Sequence, residues 1–317
     1  MSFSANVKEE LLNIEIENKC CLKAMAYGML LFGRGFNANA ISMMTDNRLT
    51  ALMYQRLVKE VTGVDVRFTV SPSGKYILSV DDPEERKTVF SAFNLTGKER
   101  SLRINRSILT NDADDEEECC FRSFIRGAFL SCGTVCDPNK MYSLEFIVPY
   151  MMLSTDLQVL LSEMGASPKV TQRRGVRVVY YKDSGMIEDV LTMMGAMMSA
   201  VEIMGVKVLK DVRNRVNRRT NFETANISRT VAAAFEQVAA IEYIDENIGF
   251  DTLPDDLKAM AVLRVENPDI SLRELGEMFD PPISRSSVNH KLTKLIAMSK
   301  KHKAENHHEE QSSEKHK

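Results

Sequence analysis

Between Ser284 and Lys303 the sequence reads SRSSVNHKLTKLIAMSKKHK, with six Lys or Arg and no Asp or Glu. Val288, Leu292 and Leu295 fall at i, i+4 and i+7, so a helix here turns them to one side. Arg285, Ser286, Asn289 and Thr293 then point elsewhere, with His290, Lys291 and Lys294 on the flanks. Arginine pairs with guanine and asparagine with adenine in the major groove, while lysines and a helix N-terminus hold phosphate. The segment therefore predicts a surface for duplex DNA. Arg285, Ser286, Asn289 and His290 would face base edges, and Arg273, Lys291 and Lys294 would face phosphates. Ser271, Ser284, Ser287 and Thr293 complete the expected contact set.

The preceding residues supply the element that would hold this helix. Ser271 can cap a short helix whose apolar positions are Leu272, Leu275 and Phe279. Gly276 inside it permits close helix–helix approach. Asp280-Pro281-Pro282 stops it, because proline lacks an amide hydrogen and restricts the residue before it. Ser284 can then cap the basic helix. Two short helices joined by a tight turn, the second basic, have the layout of a helix–turn–helix. A solvated basic helix in an ordinary bundle has the same charge but lacks this Pro-Pro turn between capped helices.

A chain of 317 residues is long enough for two domains, and 44% hydrophobic with 27% charged residues is the composition of a soluble globular protein. The net charge of -3 hides an uneven distribution. An acidic run, DADDEEE, covers Asp112 to Glu118, and a basic run, RNRVNRR, covers Arg213 to Arg219. The start, MSFSANVKEELLNIE, is an amphipathic helix with acids and not a secretory signal. The most apolar stretch, Val190 to Val201, is too short to span a bilayer. A cytoplasmic protein with reduced cysteines and no membrane partner is expected. The cysteines are Cys20-Cys21, Cys119-Cys120, Cys132 and Cys136; none has CxxC spacing, and no histidine precedes His290. Buried thiols are expected there, with no metal and no cofactor.

The cysteine pairs open a duplication. CCLKAMAYGMLLFGRG begins at Cys20 and CCFRSFIRGAFLSCGT at Cys119, with glycine at the same offset, Gly28 and Gly127. After the first helix the sequence predicts a hairpin through residues 40–44, a helix Arg48 to Thr62, a hairpin Val64 to Val80 and a helix Pro83 to Phe93. After the second it predicts a hairpin turning at Asp137-Pro138-Asn139-Lys140 and returning over Ser143 to Val148. A helix Ser154 to Met164, a hairpin Lys169 to Tyr181 and a helix Met186 to Val201 follow. Each half is helix, hairpin, helix, hairpin, helix, so the expected class is α+β, with a duplicated αββαββα domain over residues 1–205. The two repeats cover about residues 19–95 and 118–203.

The duplicated helices resemble the central helices of the LAGLIDADG homing endonucleases. That family packs two such helices through small residues, ends each in an acid that binds catalytic divalent metal, and lays two saddle-shaped sheets on DNA. The resemblance puts the metal-binding positions on Gly33 and Cys132. No Asp or Glu lies from Leu22 to Thr45 or from Phe121 to Cys136. Magnesium is usually held through carboxylates, so a nuclease scaffold without its chemistry is expected, with no catalytic residue. A working metal-dependent endonuclease would have to recruit acids from elsewhere, such as Asp112 to Glu118. The hairpin Lys169 to Lys182 carries Arg173, Arg174 and Arg177 with no acid, which leaves it open as a second DNA-facing surface or a charge-protected edge.

Gly205 to Asn221 shows no clear apolar period and reads as a basic linker, residues 206–221, or an extended arm. Arg213, Arg215, Arg218 and Arg219 would then lie on phosphate. Ser228 to Asn247 predicts a capped helix with Val231, Phe235, Val238 and Ile241 buried, and Pro254 to Glu266 another. With the two helices described first, these form an all-α DNA-binding domain over residues 222–303, followed by a disordered tail, residues 304–317. The order of CCFRSFIRGAFLSCGTVCDPNKMYSLEFIVP, NRVNRRTNFETANISRTVAAAFEQV and LRVENPDISLRELGEMFDPPISRSSVNHKL resembles the WhiA family of bacterial DNA-binding regulators. The resemblance implies a cytoplasmic, nucleoid-associated regulator tied to cell division and chromosome segregation, and to sporulation in some lineages. It also implies binding of double-stranded DNA through the helix–turn–helix, without nuclease activity.

Overall fold

The computed structural model describes the backbone of residues 2–109 and 119–314, and side chains as far as Glu305. The acidic run Asp112 to Glu118 lies outside the described residues. The chain divides into two compact units, Met1–Val212 and Arg213–Lys317.

The first unit begins with α1 (Phe3–Leu12), capped by Ser2 and burying Phe3, Val7 and Leu11. The first repeat follows: α2 (Lys19–Leu31), β1 (Gly35–Asn37), β2 (Ala40–Thr45), α3 (Arg48–Thr62), β3 (Arg67–Val70), β4 (Tyr76–Val80) and α4 (Pro83–Ala92). The second comprises α5 (Cys119–Cys132), β5 (Gly133–Val135), β6 (Leu144–Val148), α6 (Met151–Glu163), β7 (Lys169–Arg173), β8 (Val176–Tyr181) and α7 (Ser184–Met194). Both sheets are antiparallel and share one strand order, β1-β2-β4-β3 and β5-β6-β8-β7, which establishes the duplication. Short polar caps start the helices: Asn47, Asp82 and Asp183 each accept a backbone amide of the first turn.

α2 and α5 form the centre of this unit, packed at backbone-contact distance. A Cβ added to Gly28 would sit 2.3 Å from the Phe124 carbonyl oxygen, and one added to Gly127 would sit 2.2 Å from that of Met25. The two glycines are reciprocal, each admitting the other helix's backbone. Around them Met25, Tyr27, Met29, Phe124, Ile125 and Phe129 are buried.

The helix expected over Met186 to Val201 is broken. Gly195 adopts a left-handed φ of 96° and ends α7, and a new helix, α8 (Met197–Asn247), starts two residues later. α8 corrects the form of the expected linker and not its place, since the units divide at Val212–Arg213. Residues 206–221 are helical, and the division between the two units falls within α8. Absence of an apolar period suggested a loop, yet no Gly or Pro occurs from Val206 to Ile248, so nothing local stops the helix. Ser228 consequently sits inside a helix and not at its start. Val231 and Phe235, expected to be buried, are 58% and 78% exposed, whereas Ile241 is fully buried.

The second unit adds α9 (Asp255–Glu266), α10 (Leu272–Glu277) and α11 (Arg285–Glu314). Its core joins Ile241, Ile244, Leu257, Met260, Leu275, Val288, Leu292 and Leu295. α11 continues to Glu314, through most of the segment expected to be a disordered tail.

Candidate nucleic-acid interface

α10 and α11 form the helix–turn–helix. Ser271 and Glu274 make a reciprocal capping box: the Ser271 hydroxyl accepts the Glu274 amide at 3.3 Å, and the Glu274 carboxylate accepts the Ser271 amide at 2.8 Å. The Ser271 amide donated to the carboxylate favours the ionised form and holds the Glu274 carboxyl below its ordinary pKa. The turn closes on Gly276, whose carbonyl accepts the Ile283 amide at 3.0 Å. A Cβ on Gly276 would stand 2.3 Å from the Ile283 carbonyl oxygen, so the turn requires glycine there. Ser284 then caps α11, its hydroxyl accepting the Ser287 amide at 3.2 Å.

α11 divides as its period predicts. Val288, Leu292 and Leu295 are at most 1% exposed. Arg285, Ser286, Asn289, His290, Thr293 and Lys294 are exposed, and Ser287 and Lys291 are half-buried. The expected phosphate contacts are not equivalent. Lys291 reaches back to α9 and pairs with Asp256, which leaves its side chain 16% exposed. Arg273 pairs along its own helix with Glu277 at 3.1 Å. Among the described residues no ion pair holds Arg285 or Lys294. The Thr293 hydroxyl donates to the Asn289 carbonyl at 2.7 Å, so it is partly occupied by its own helix.

The structure adds Arg229, which nothing in the sequence groups with this motif. Arg229 of α8 joins Arg273, Arg285 and Ser271 around a cleft of about 400 Å3 beside the N-terminal turns of α10 and α11. Only folding brings it there, because it lies over 40 residues upstream of Ser271.

The secondary basic residues disperse. Arg213, Arg215, Arg218 and Arg219 are exposed on α8, and Arg219 pairs with Glu223 at 2.9 Å. Their side chains therefore project from a helix, not an extended arm. In the β7–β8 hairpin, Arg173 pairs with Glu145 of β6 at 3.0 Å. Arg174 occupies the turn, with a left-handed φ of 49°. Arg177 lies opposite Val148 and Gln172, whereas Arg173 lies opposite Val176. Side chains alternate along a strand, so Arg177 and Arg173 project from opposite faces of the sheet.

Gly33 and Cys132 lie at the C-terminal ends of the central helices. Lys8 of α1 extends toward this end, its ammonium donating to the Leu130 carbonyl at 3.4 Å. Burial lowers the Lys8 pKa, opposed by the charges of Cys132 and Asp46. Burial also pushes the Cys132 thiol up to about 12. A neutral thiol, a glycine and a lysine form a donor set unlike the carboxylates that hold magnesium or manganese.

Sequence comparison agrees with this architecture. The profile of the WhiA C-terminal HTH domain matches residues 216–299, and that of the WhiA LAGLIDADG-like domain matches residues 121–213. A protein of Alkaliphilus metalliredigens described as a probable cell division protein WhiA is 34% identical over 311 residues, covering 93% of this chain and 96% of its own. The chain belongs to the WhiA family. A similarly described protein of Ruminiclostridium cellulolyticum is 35% identical, over 93% of this chain and 96% of its own. The crystal structure of full-length WhiA from T. maritima superposes with a TM-score of 0.57 at 25% identity, covering 95% of this chain and 99% of that one. The WhiA LAGLIDADG-like profile covers the second repeat and the start of α8.

Proposed function

We propose that this WhiA protein is a non-enzymatic regulator of cell division and chromosome segregation that binds double-stranded DNA through α10 and α11 at the nucleoid. The observation carrying this reading is the division of α11: its apolar stripe is spent on the core, which commits Arg285, Ser286 and Asn289 to the exposed side of its first turns. Relatives described as cell division proteins support the process, and the helix–turn–helix supports the ligand. Arg285, Ser286, Asn289 and His290 read bases in this account. Arg273, Arg229 and Lys294 fix the protein on phosphates, with Ser271, Ser284, Ser287 and Thr293 at the helix starts and flank. Lys291 contributes less, because Asp256 already holds it.

The test is selection of bound duplexes from a random pool, followed by competition binding with Asn289→Ala. That substitution should relax preference at one base pair by about 1–3 kcal/mol while leaving non-specific affinity in place. Unchanged preference would reject this assignment of faces. The same preparation incubated with supercoiled plasmid and magnesium or manganese should leave the plasmid intact; nicking lost on substituting Asp112 to Glu118 would establish an endonuclease instead.

A further inference from the structure

The two Cys-Cys pairs, nearly a hundred residues apart in sequence, meet in space. Cys20 and Cys21 open α2, Cys119 and Cys120 open α5, and all four sulfurs lie within 4.8 Å of one another. The cluster therefore takes two sulfurs from the start of each central helix. Cys119 and Cys120 have their sulfurs 4.0 Å apart. A tetrahedral zinc ion with zinc–sulfur distances of about 2.3 Å places its ligand sulfurs roughly 3.8 Å apart. Closing the cluster around one ion thus asks no sulfur pair to approach by more than about 1 Å. A polynuclear cluster would hold its thiolates farther apart.

We propose that Cys20, Cys21, Cys119 and Cys120 bind one zinc ion, a structural clasp between the two repeats. Soft thiolates without a neighbouring histidine select zinc over magnesium or calcium. On loading, the thiols release protons and the site carries a net charge of minus two. Two features offset that charge. The positive ends of α2 and α5 converge on the cluster, and Arg122 and Arg126 line the cleft beside Cys21 and Cys119. Entry is open as well. Cys21 and Cys119 line a surface cleft of about 310 Å3, together with Arg122 and Arg126. The site lies at the opposite end of the central helices from Gly33 and Cys132, about 18 Å away at 1.5 Å per residue. It is therefore separate from the positions that the homing-endonuclease resemblance marks for metal. Gly28 and Gly127 join the helices at their middle; the ion would join them at their start.

The experiment uses full-length protein purified without chelator. Elemental analysis should find one zinc per chain. Cobalt added to the metal-free protein should give the intense visible bands and near-ultraviolet charge transfer of a tetrahedral four-thiolate site. Cys21→Ser combined with Cys120→Ser should abolish that spectrum, and Cys132→Ser combined with Cys136→Ser should retain it. If the first double variant does not fold, alkylation of the unaltered protein decides, because one equivalent of zinc should protect Cys20, Cys21, Cys119 and Cys120 and no other cysteine. A fully reduced protein that gives no cobalt–thiolate spectrum overturns the proposal. So does protection of any other set of cysteines, or a disulfide within the cluster that persists in place of metal.

Discussion

Lys291 and Lys294 sit three residues apart on α11, yet they should behave differently toward DNA. Each phosphate neutralised contributes about 0.9 to the slope of log affinity against log salt. A fourfold rise in salt therefore costs each contact about 3.5-fold, or roughly 0.7 kcal/mol. Lys294 is exposed and enters no ion pair among the described residues, so Lys294→Ala should remove the full 0.9 or so from the slope. Lys291 is already neutralised by Asp256 and only 16% exposed, so Lys291→Ala should remove well under half as much. Asp256→Asn breaks the pair and frees Lys291, which should steepen the slope by up to about 0.9 and tighten binding at low salt. The fold should survive, because Asp256 is itself 60% exposed and Asn can still accept a hydrogen bond from the Lys291 ammonium. Anisotropy titrations of a labelled mixed-sequence duplex across a fourfold salt range measure all three. Equal slope changes for Lys291→Ala and Lys294→Ala would refute the inference that the Asp256 pair withholds one lysine, and an unchanged slope for Lys294→Ala would remove α11 from the DNA.

Gly127→Ala should destabilise the first unit by about 1–3 kcal/mol or more in urea unfolding, because the added methyl meets the Met25 carbonyl at 2.2 Å and the helices must part. Gly28→Ala should act on the same contact, so the double substitution should cost less than the sum. Gly276→Ala should weaken binding to every duplex sequence alike, since it strikes the Ile283 carbonyl that closes the turn and touches no expected base reader. Glu274 has a folded pKa below its ordinary value of 4.5, so its stabilisation is present above that value and is lost as pH falls through the lower, folded one. Hydrogen exchange of a peptide covering residues 271–279 should show protection falling over this acid range, and Glu274→Gln should flatten that response.

The fold was legible where short-range chemistry was decisive. The helices expected over Arg48 to Thr62 and Pro83 to Phe93 match α3 and α4 to within a residue, and Gly28 and Gly127 sit at matching offsets because each admits the other's helix. The face of α11 was legible for the same reason, since Val288, Leu292 and Leu295 have no alternative to the core. What failed was the middle of the chain. Arg213 to Asn221 lacks an apolar period, which reads as a loop when a helix is assumed to need a buried stripe. α8 instead keeps those residues helical while they stay exposed, on propensity and the absence of a breaker. Gly195 ended a helix that its methionine-rich surroundings seemed to continue, because φ of 96° suits glycine alone.

The candidate sites divide along the same line. A linear motif announces the helix–turn–helix because one helix carries both its core stripe and its polar face. Arg229, the Lys291–Asp256 pair and the four-cysteine cluster are invisible in that view, since each joins residues from different elements. The cysteine cluster is the instructive case. Spacing rules for zinc assume that two ligands share a loop, as in CxxC, and adjacent cysteines fail that rule. Duplication supplies the missing geometry: one Cys-Cys pair presents two sulfurs at a helix start, and packing of the second repeat against the first brings two more. A half-site that is uninformative in one repeat becomes a four-ligand site when α2 and α5 meet, just as Gly28 alone explains nothing until Phe124 is found against it.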